Sequence, residues 1–211
     1  MNSRSLKLGI ALAAAGLCLQ PLTASAAKGD LLVRAGIGVV DPDSDNLDLG
    51  TTGMVEVDSG TSLTIEASYF FADKWAAELL AAYPFNHDIT LDGSTVGDTD
   101  HLPPTVSVQY HFIPDGKFRP YVGVGLNYTT FFNTGTEGAL AGTDLELDDS
   151  WGLALQAGID VPIGDRWFAN AVIRYIDIES DATLDGAPLG TVKIDPMVYQ
   201  LQAGYRFGAG K

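Results

Sequence analysis

Cysteine is almost missing from this sequence, and the single one, Cys18, lies in an N-terminal apolar stretch. Arg4 and Lys7 precede that stretch, Leu8 to Leu19 forms its core, and Ala24-Ser25-Ala26 offers a small-x-small cleavage site before Ala27. This predicts a secretory signal over residues 1–26 and one mature domain over 27–211. Leu17 is bulky where a lipid-anchored signal wants a small residue just before its Cys. The mature chain then holds no thiol, which excludes disulfides and thiolate chemistry. Long apolar runs are missing too: the leader is short for a bilayer, and no mature segment reaches the ~20 residues of a membrane helix. Basic residues are scarce. Without the leader, 10 of them face 27 acidic ones, a net charge of −17, which excludes binding nucleic acid through its phosphates. Histidine occurs three times, as His87, His101 and His111. Their spacing fits no metal-ligand set and no matched nucleophile, so structural hydrogen bonding is the expected role of His101 and His111, and neither metal nor cofactor is called for.

What the chain has instead is alternation. In Thr105–Phe112, Val106, Val108, Tyr110 and Phe112 share one face; in Phe118–Phe132, Val122, Val124, Leu126 and Tyr128 do so. The connection Ile113–Lys117 carries Pro, Asp and Gly. A period of two on either side of turn residues predicts a β-hairpin. The same pattern recurs at Asp30–Val40, Thr61–Phe71, Lys74–Phe85, Ser150–Val161, Arg166–Ile178 and Met197–Phe207. Eight strands result. Their connections alternate between long polar stretches (41–60, 86–101, 133–149, 179–191) and tight turns.

This rhythm predicts an all-β fold, an eight-stranded antiparallel transmembrane β-barrel with short periplasmic turns and long extracellular loops. An open sheet edge is not tolerated in lipid, so the sheet must close. Aromatics gather at strand ends, as the two headgroup levels require. Tyr69, Phe71, Trp75, Tyr110, Phe112, Phe118, Trp167, Tyr205 and Phe207 fall at the short-turn end; Tyr83, Phe85, Tyr128, Phe132, Trp151 and Tyr175 lie toward the long loops. A soluble eight-stranded barrel would carry a polar outer face. The long loops hold most of the acid, which reads as a solvated, repulsive surface or as a site for cations that bridge lipopolysaccharide phosphates.

The segments His101-Leu102-Pro103-Pro104-Thr105 and Phe118-Arg119-Pro120-Tyr121-Val122-Gly123-Val124-Gly125-Leu126-Asn127-Tyr128 resemble the OmpW family of small outer-membrane proteins, which includes AlkL-type alkane-uptake proteins. Asp148-Asp149-Ser150-Trp151-Gly152, Tyr175-Ile176-Asp177-Ile178 and Ala203-Gly204-Tyr205-Arg206-Phe207 match as well. The resemblance implies an eight-stranded barrel whose narrow, apolar interior passes small hydrophobic molecules, which enter from outside and leave sideways into the membrane. It also implies outer-membrane lipids, lipopolysaccharide and the barrel-assembly machinery as partners. Two departures stand out. Gly208-Ala209-Gly210-Lys211 follows the Tyr-Arg-Phe close, and Arg174 sits inward where relatives tend to carry a bulky apolar residue, so a charge there is expected to narrow or polarise the path.

By parity, Arg34, Arg174 and Arg206 face the lumen together with Glu66, Glu78 and Asp160. Three charges of each sign in a narrow lumen should pair, either as a plug or as contacts for a transported molecule. Val40, Leu80, Phe131, Ile176 and Val198 face inward in the outer half and are the candidate apolar lining, with Arg174 as the candidate gate. Pro84, Pro103, Pro104 and Pro196 fall near external strand ends, where each removes a ladder donor; they either open a lateral gap or merely end strands. The function expected is passive uptake of small hydrophobic compounds without catalysis. A sealed structural or receptor barrel acting through its acidic loops is the alternative. A polar-solute porin needs a wet lumen, and an enzyme barrel needs a clustered set around His87 or His101 at the loop rim.

Overall fold

The computed structural model describes residues 27–208; the expected signal over 1–26 and the last three residues lie outside the described residues. In chain order the strands are β1 (Leu31–Asp41), β2 (Leu47–Asp48), β3 (Met54–Val57), β4 (Gly60–Ala72) and β5 (Trp75–Ala82). Then come β6 (Phe85–Leu91), β7 (Ser94–Leu102), β8 (Thr105–His111), β9 (Arg119–Thr136) and β10 (Leu145–Leu147). The last five are β11 (Ser150–Pro162), β12 (Trp167–Ile176), β13 (Glu179–Leu184), β14 (Ala187–Lys193) and β15 (Met197–Phe207). Eight of them, β1, β4, β5, β8, β9, β11, β12 and β15, form an up-and-down antiparallel barrel. The first and last strands close it along the whole of β1, from Leu31↔Phe207 to Asp41↔Met197.

The alternation in sequence becomes inside and outside of this wall. Leu63, Val106, Leu126 and Leu201 are 59–72% exposed, while Arg34, Glu66, Gln109 and Arg174 on the other parity are fully buried. A soluble protein seldom exposes so large an apolar surface; here it is a belt for lipid. At the short-turn end the aromatic girdle is a chain of touching rings. Trp75–Tyr110, Tyr110–Phe112, Trp167–Tyr205 and Tyr205–Phe207 lie 4.7–5.1 Å apart. At the loop end Tyr128 meets Trp151 at 4.7 Å, with Tyr83 and Trp151 almost three-quarters exposed. Among the described residues no helix is long and apolar enough to cross a membrane; the crossing is made by strands.

Two expectations are corrected. The third barrel strand stops at Ala82 rather than Phe85, because Pro84 has no N–H to continue the ladder. The break resets the parity, so Phe85, expected in the outer girdle, points inward and is 2% exposed. Second, the long polar stretches are largely β-structure. β6 and β7 form a hairpin across Asp92-Gly93, and β13 and β14 one across Asp185-Gly186. All four turn residues have positive φ, the geometry of a two-residue hairpin loop that Asp-Gly favours. β9 runs on to Thr136 and pairs with β7, and β2, β3 and β6 extend that sheet; β10, β13 and β14 form a second one. The barrel thus carries a β-built upper storey.

Close packing at the periplasmic end uses glycine. A Cβ on Gly204 would stand 2.2 Å from the Phe168 ring, which in turn lies 5.5 Å from the Arg34 guanidinium. Gly204→Val is expected to displace that ring and cost about 1–3 kcal/mol by overpacking. Urea unfolding in lipid vesicles checks this: the midpoint should fall for Gly204→Val and stay near wild type for Ala203→Val, which points to lipid.

Candidate functional site, an apolar cavity above a locked plug

The lumen is filled in layers. At the periplasmic end Leu32, Phe70, Ala76 and Phe168 form an apolar cap. Above it Arg34 donates to Asp160 through Nε and Nη2 at 3.1 and 2.8 Å and to Ser68 Oγ at 2.7 Å. The guanidinium also lies over the Tyr121 and Phe168 rings. Asn170 donates to Asp160 Oδ1 and to the Tyr121 hydroxyl. His111 stacks between Phe70 and Tyr121 at 4.7 and 4.9 Å. Arg206 pairs with Asp30 at 3.8 Å, a partner that parity did not single out.

The next layer shares one cation between two acids. Arg174 Nη2 lies 2.9 Å from Glu78 Oε1, 3.3 Å from Glu66 Oε1 and 2.9 Å from Gln156 Oε1. Gln109 and Gln156 donate to Glu78, and His111 Nε2 meets Gln109 Oε1 at 3.2 Å. All six inward charges expected from parity are buried, with Arg34, Glu66 and Arg174 at 0% exposure. Arg174, expected beside the apolar lining, belongs to this ionic layer.

Higher up, Val40, Ile176 and Val198 join Phe85, Ala154 and Ile178 in a packed apolar cluster. Leu80 is buried at 3%, on the last rung of the β5–β8 ladder opposite Thr105. None of these four lines the apolar cavity. The cavity lies above them, about 150 Å³, and of the expected lining only Phe131 reaches it. Its other walls come from the stretches expected to be loops: Leu47 and Val55 from the first, Ile89, Val96, His87 and His101 from the second, Leu145 from the third, Leu184 and Leu189 from the fourth. The signal was present as alternation inside acidic segments, such as Leu47-Asp48-Leu49, Val55-Glu56-Val57 and Leu145-Glu146-Leu147. Aliphatic residues turn inward and acids outward.

Two of the three histidines come together. His87 and His101 stand on paired strands, with rings 4.8 Å apart, and His101 stacks on Phe85 at 5.4 Å. They lie above the outer girdle. Loss of hydration holds His87 below its ordinary value and takes His101 down to about 3, helped there by the neighbouring His87. His87 Nδ1 is 2.5 Å from the Asp58 carbonyl, a backbone contact that pairs the ring with no nucleophile. At the rim, Asp177, Glu179 and Asp195 bring carboxylate oxygens within 4.8 Å of one another. Lys193 neutralises one of them, 2.9 Å from Glu179.

The prolines fall where strands change partner. The β5–β8 ladder ends at Leu80↔Thr105, and the next residues facing β5 would be Pro104 and Pro103. Their carbonyls are taken from the other side, by Tyr128 N at 3.0 Å and Asn127 Nδ2 at 3.2 Å. Pro84 breaks the chain between β5 and β6, and Pro196 between β14 and β15, where its carbonyl accepts from Ile176 N at 3.2 Å.

A closed eight-stranded barrel with a lipid-facing aliphatic belt, two aromatic girdles and a charge-paired interior defines a small integral protein of the bacterial outer membrane. Residues 27–207 match the OmpW family, and the chain belongs to it. Outer membrane protein W of Vibrio cholerae is 45% identical over 196 residues, which cover 85% of this chain and 89% of that protein. Outer membrane protein AlkL of Ectopseudomonas oleovorans is 32% identical, covering 72% of this chain and 69% of its own length. The crystal structure of OprG from Pseudomonas aeruginosa superposes with a TM-score of 0.77 at 35% identity, over 88% of this chain and 99% of that one.

Removing one partner of a buried ion pair strands the other charge, at a cost of about 3–5 kcal/mol. Arg174→Met should therefore lower the urea midpoint strongly, and adding Glu66→Gln and Glu78→Gln should recover most of the loss. The histidines set an acid dependence. The unfolded chain binds their protons near pH 6.5, whereas folded His101 stays neutral to about 3. Between those values the unfolded state binds more protons, so the upper storey loses stability as pH falls through this window. Hydrogen exchange of β6 and β7 amides should quicken from pH 7 to pH 5 after correction for intrinsic rates, and His101→Phe should flatten that change.

Proposed function

We propose that this protein is a passive conduit through which small hydrophobic molecules cross the lipopolysaccharide layer and leave sideways into the membrane. The observation that carries the reading is an apolar cavity of about 150 Å³ set directly above a lumen filled by salt bridges. An apolar molecule in that cavity finds no path downward, since displacing Arg34 or Arg174 from its acids costs more than burial of a small hydrocarbon returns. The wall offers an alternative. Beyond Leu80↔Thr105 the β5–β8 seam faces two prolines without N–H groups, so no ladder hydrogen bonds need break for it to part. His101, in the cavity wall, is within three residues of those prolines in sequence.

In this reading the acidic outer surface keeps the loops hydrated, lipids take the product directly, and the barrel-assembly machinery inserts the chain. No energy source and no catalytic step are needed. The ion-paired plug serves as a floor that turns the path sideways.

The test is uptake of a medium-chain alkane or fatty acid methyl ester by cells with a cytoplasmic oxidising enzyme as reporter. Faster apolar uptake with the protein, without faster uptake of a small sugar, is the expected result. Pro103→Ala with Pro104→Ala, which restores one backbone donor toward each neighbouring strand and so one toward β5, should bring the rate back toward that of cells lacking the protein. Unchanged uptake with folded, heat-modifiable barrel in the membrane would favour a sealed barrel acting through its outer surface.

A further inference from the structure

His87 and His101 are out of place in a purely apolar container. Their side chains are among the most buried polar groups of the upper storey, at 2% and 3% exposure, and both line the cavity. Yet Nε2 of each has no hydrogen-bond partner. The other polar wall residues include Thr99, whose hydroxyl is already engaged with Thr134 at 2.9 Å. A buried ring nitrogen without a partner costs about 1–3 kcal/mol, and such groups in native proteins call for an explanation. Phenylalanine would offer a similar flat surface at no such cost.

The tautomer of His87 can be assigned. A carbonyl only accepts, so the 2.5 Å contact to Asp58 places the His87 proton on Nδ1 and leaves Nε2 as a bare lone pair. Burial keeps both rings neutral at physiological pH. The cavity wall contains no lysine and no arginine, so a carboxylate would enter without a counter-charge. What fits is a neutral molecule with a hydrocarbon body and one donor. A cavity of about 150 Å³ is the size that accepts a single benzene ring.

Resting on the conduit reading, we propose that the cavity is a subsite for small mono-hydroxylated hydrophobes, phenols and short alcohols, whose hydroxyl donates to Nε2 of His87 or His101. Neither Nε2 has accessible surface, so the rings must tilt to meet the ligand. His101 is placed by stacking on Phe85 and His87 and by Phe131 at 6.0 Å, contacts that permit such a tilt. The pair thereby distinguishes an oxygenated ring from the parent hydrocarbon of equal size.

Phenol and toluene differ by a hydroxyl in place of a methyl and make the matched probes. Binding is measured on the full mature chain in lipid nanodiscs, with each compound referenced to empty nanodiscs, and with nitrogen-15 resonances of the imidazoles followed in parallel. The expected result is roughly tenfold tighter binding of phenol, the value of one good hydrogen bond, with a shift of an Nε2 resonance that toluene does not cause. H87F/H101F should lose the phenol preference and keep toluene. Equal binding of both compounds with unmoved Nε2 resonances would overturn the hydroxyl subsite and leave the conduit standing. Binding of neither would overturn the subsite, while the alkane uptake assay separately decides the conduit. Should the double variant fail to fold, the wild-type resonances decide alone.

Discussion

Closure of the backbone ladder between β1 and β15 is the constraint from which the other features follow. In hydrocarbon an unpaired peptide group costs several kcal/mol, so a sheet in a membrane must leave no edge. Eight strands meet this requirement at the smallest practical diameter, and that diameter leaves an interior only wide enough for side chains. The polar parity of each strand must therefore satisfy itself within a few ångströms. Arg34 does so with Asp160, and Arg174 does so with Glu66 and Glu78. Once those pairs form, the lumen ceases to be a pore.

A barrel that is shut below can still handle apolar molecules above. The walls of β9, β6 and β7 continue past the outer girdle, where water rather than lipid surrounds them, and the sidedness of the strands reverses. In the membrane the aliphatic face looks out to lipid, as at Leu126 and Leu201. In the upper storey Ile89, Val96 and Leu145 look in and are buried. The same period-two alternation serves both environments, and the proline breaks between β5 and β6 and between β7 and β8 are where one changes to the other. That reversal produces an apolar container outside the membrane, adjoining a seam with few ladder bonds.

The single guanidinium shared by Glu66 and Glu78 and the stacked histidines above it show two ways of using buried polarity. The lower group ties several partners together through Gln109 and Gln156 and holds the wall together, while Glu66 Oε2 and Arg174 Nε and Nη1 keep no hydrogen-bond partner. The upper pair has ring nitrogens without partners in a carbon-lined space. Rigidity follows from the first arrangement and selectivity from the second, because the histidines stand in the wall of a cavity that a ligand can enter and the plug residues do not.

Much of this was legible from residue order alone. Alternation in Thr105–Phe132, the tight turns and the terminal aromatics specify strand number, sidedness and membrane location, since a strand's side chains obey a strict period of two. The inward charges followed from the same count. What residue order did not reveal was how the acidic stretches fold. Asp92-Gly93 and Asp185-Gly186 are hairpin signals, and Leu47, Val55 and Leu145 alternate with acids, but these segments are short and acquire stability only by packing on one another. Phe85 illustrates the limit. Its side was decided by the break at Pro84, and parity cannot be carried across a residue that lacks a ladder donor. Strand and turn preferences are local, so the chain itself determines them. The cavity, its histidine pair and the plug's division of charges depend on contacts between residues up to more than a hundred positions apart, such as Arg34 with Asp160 and Glu66 with Arg174, and only the closed tertiary structure brings those together.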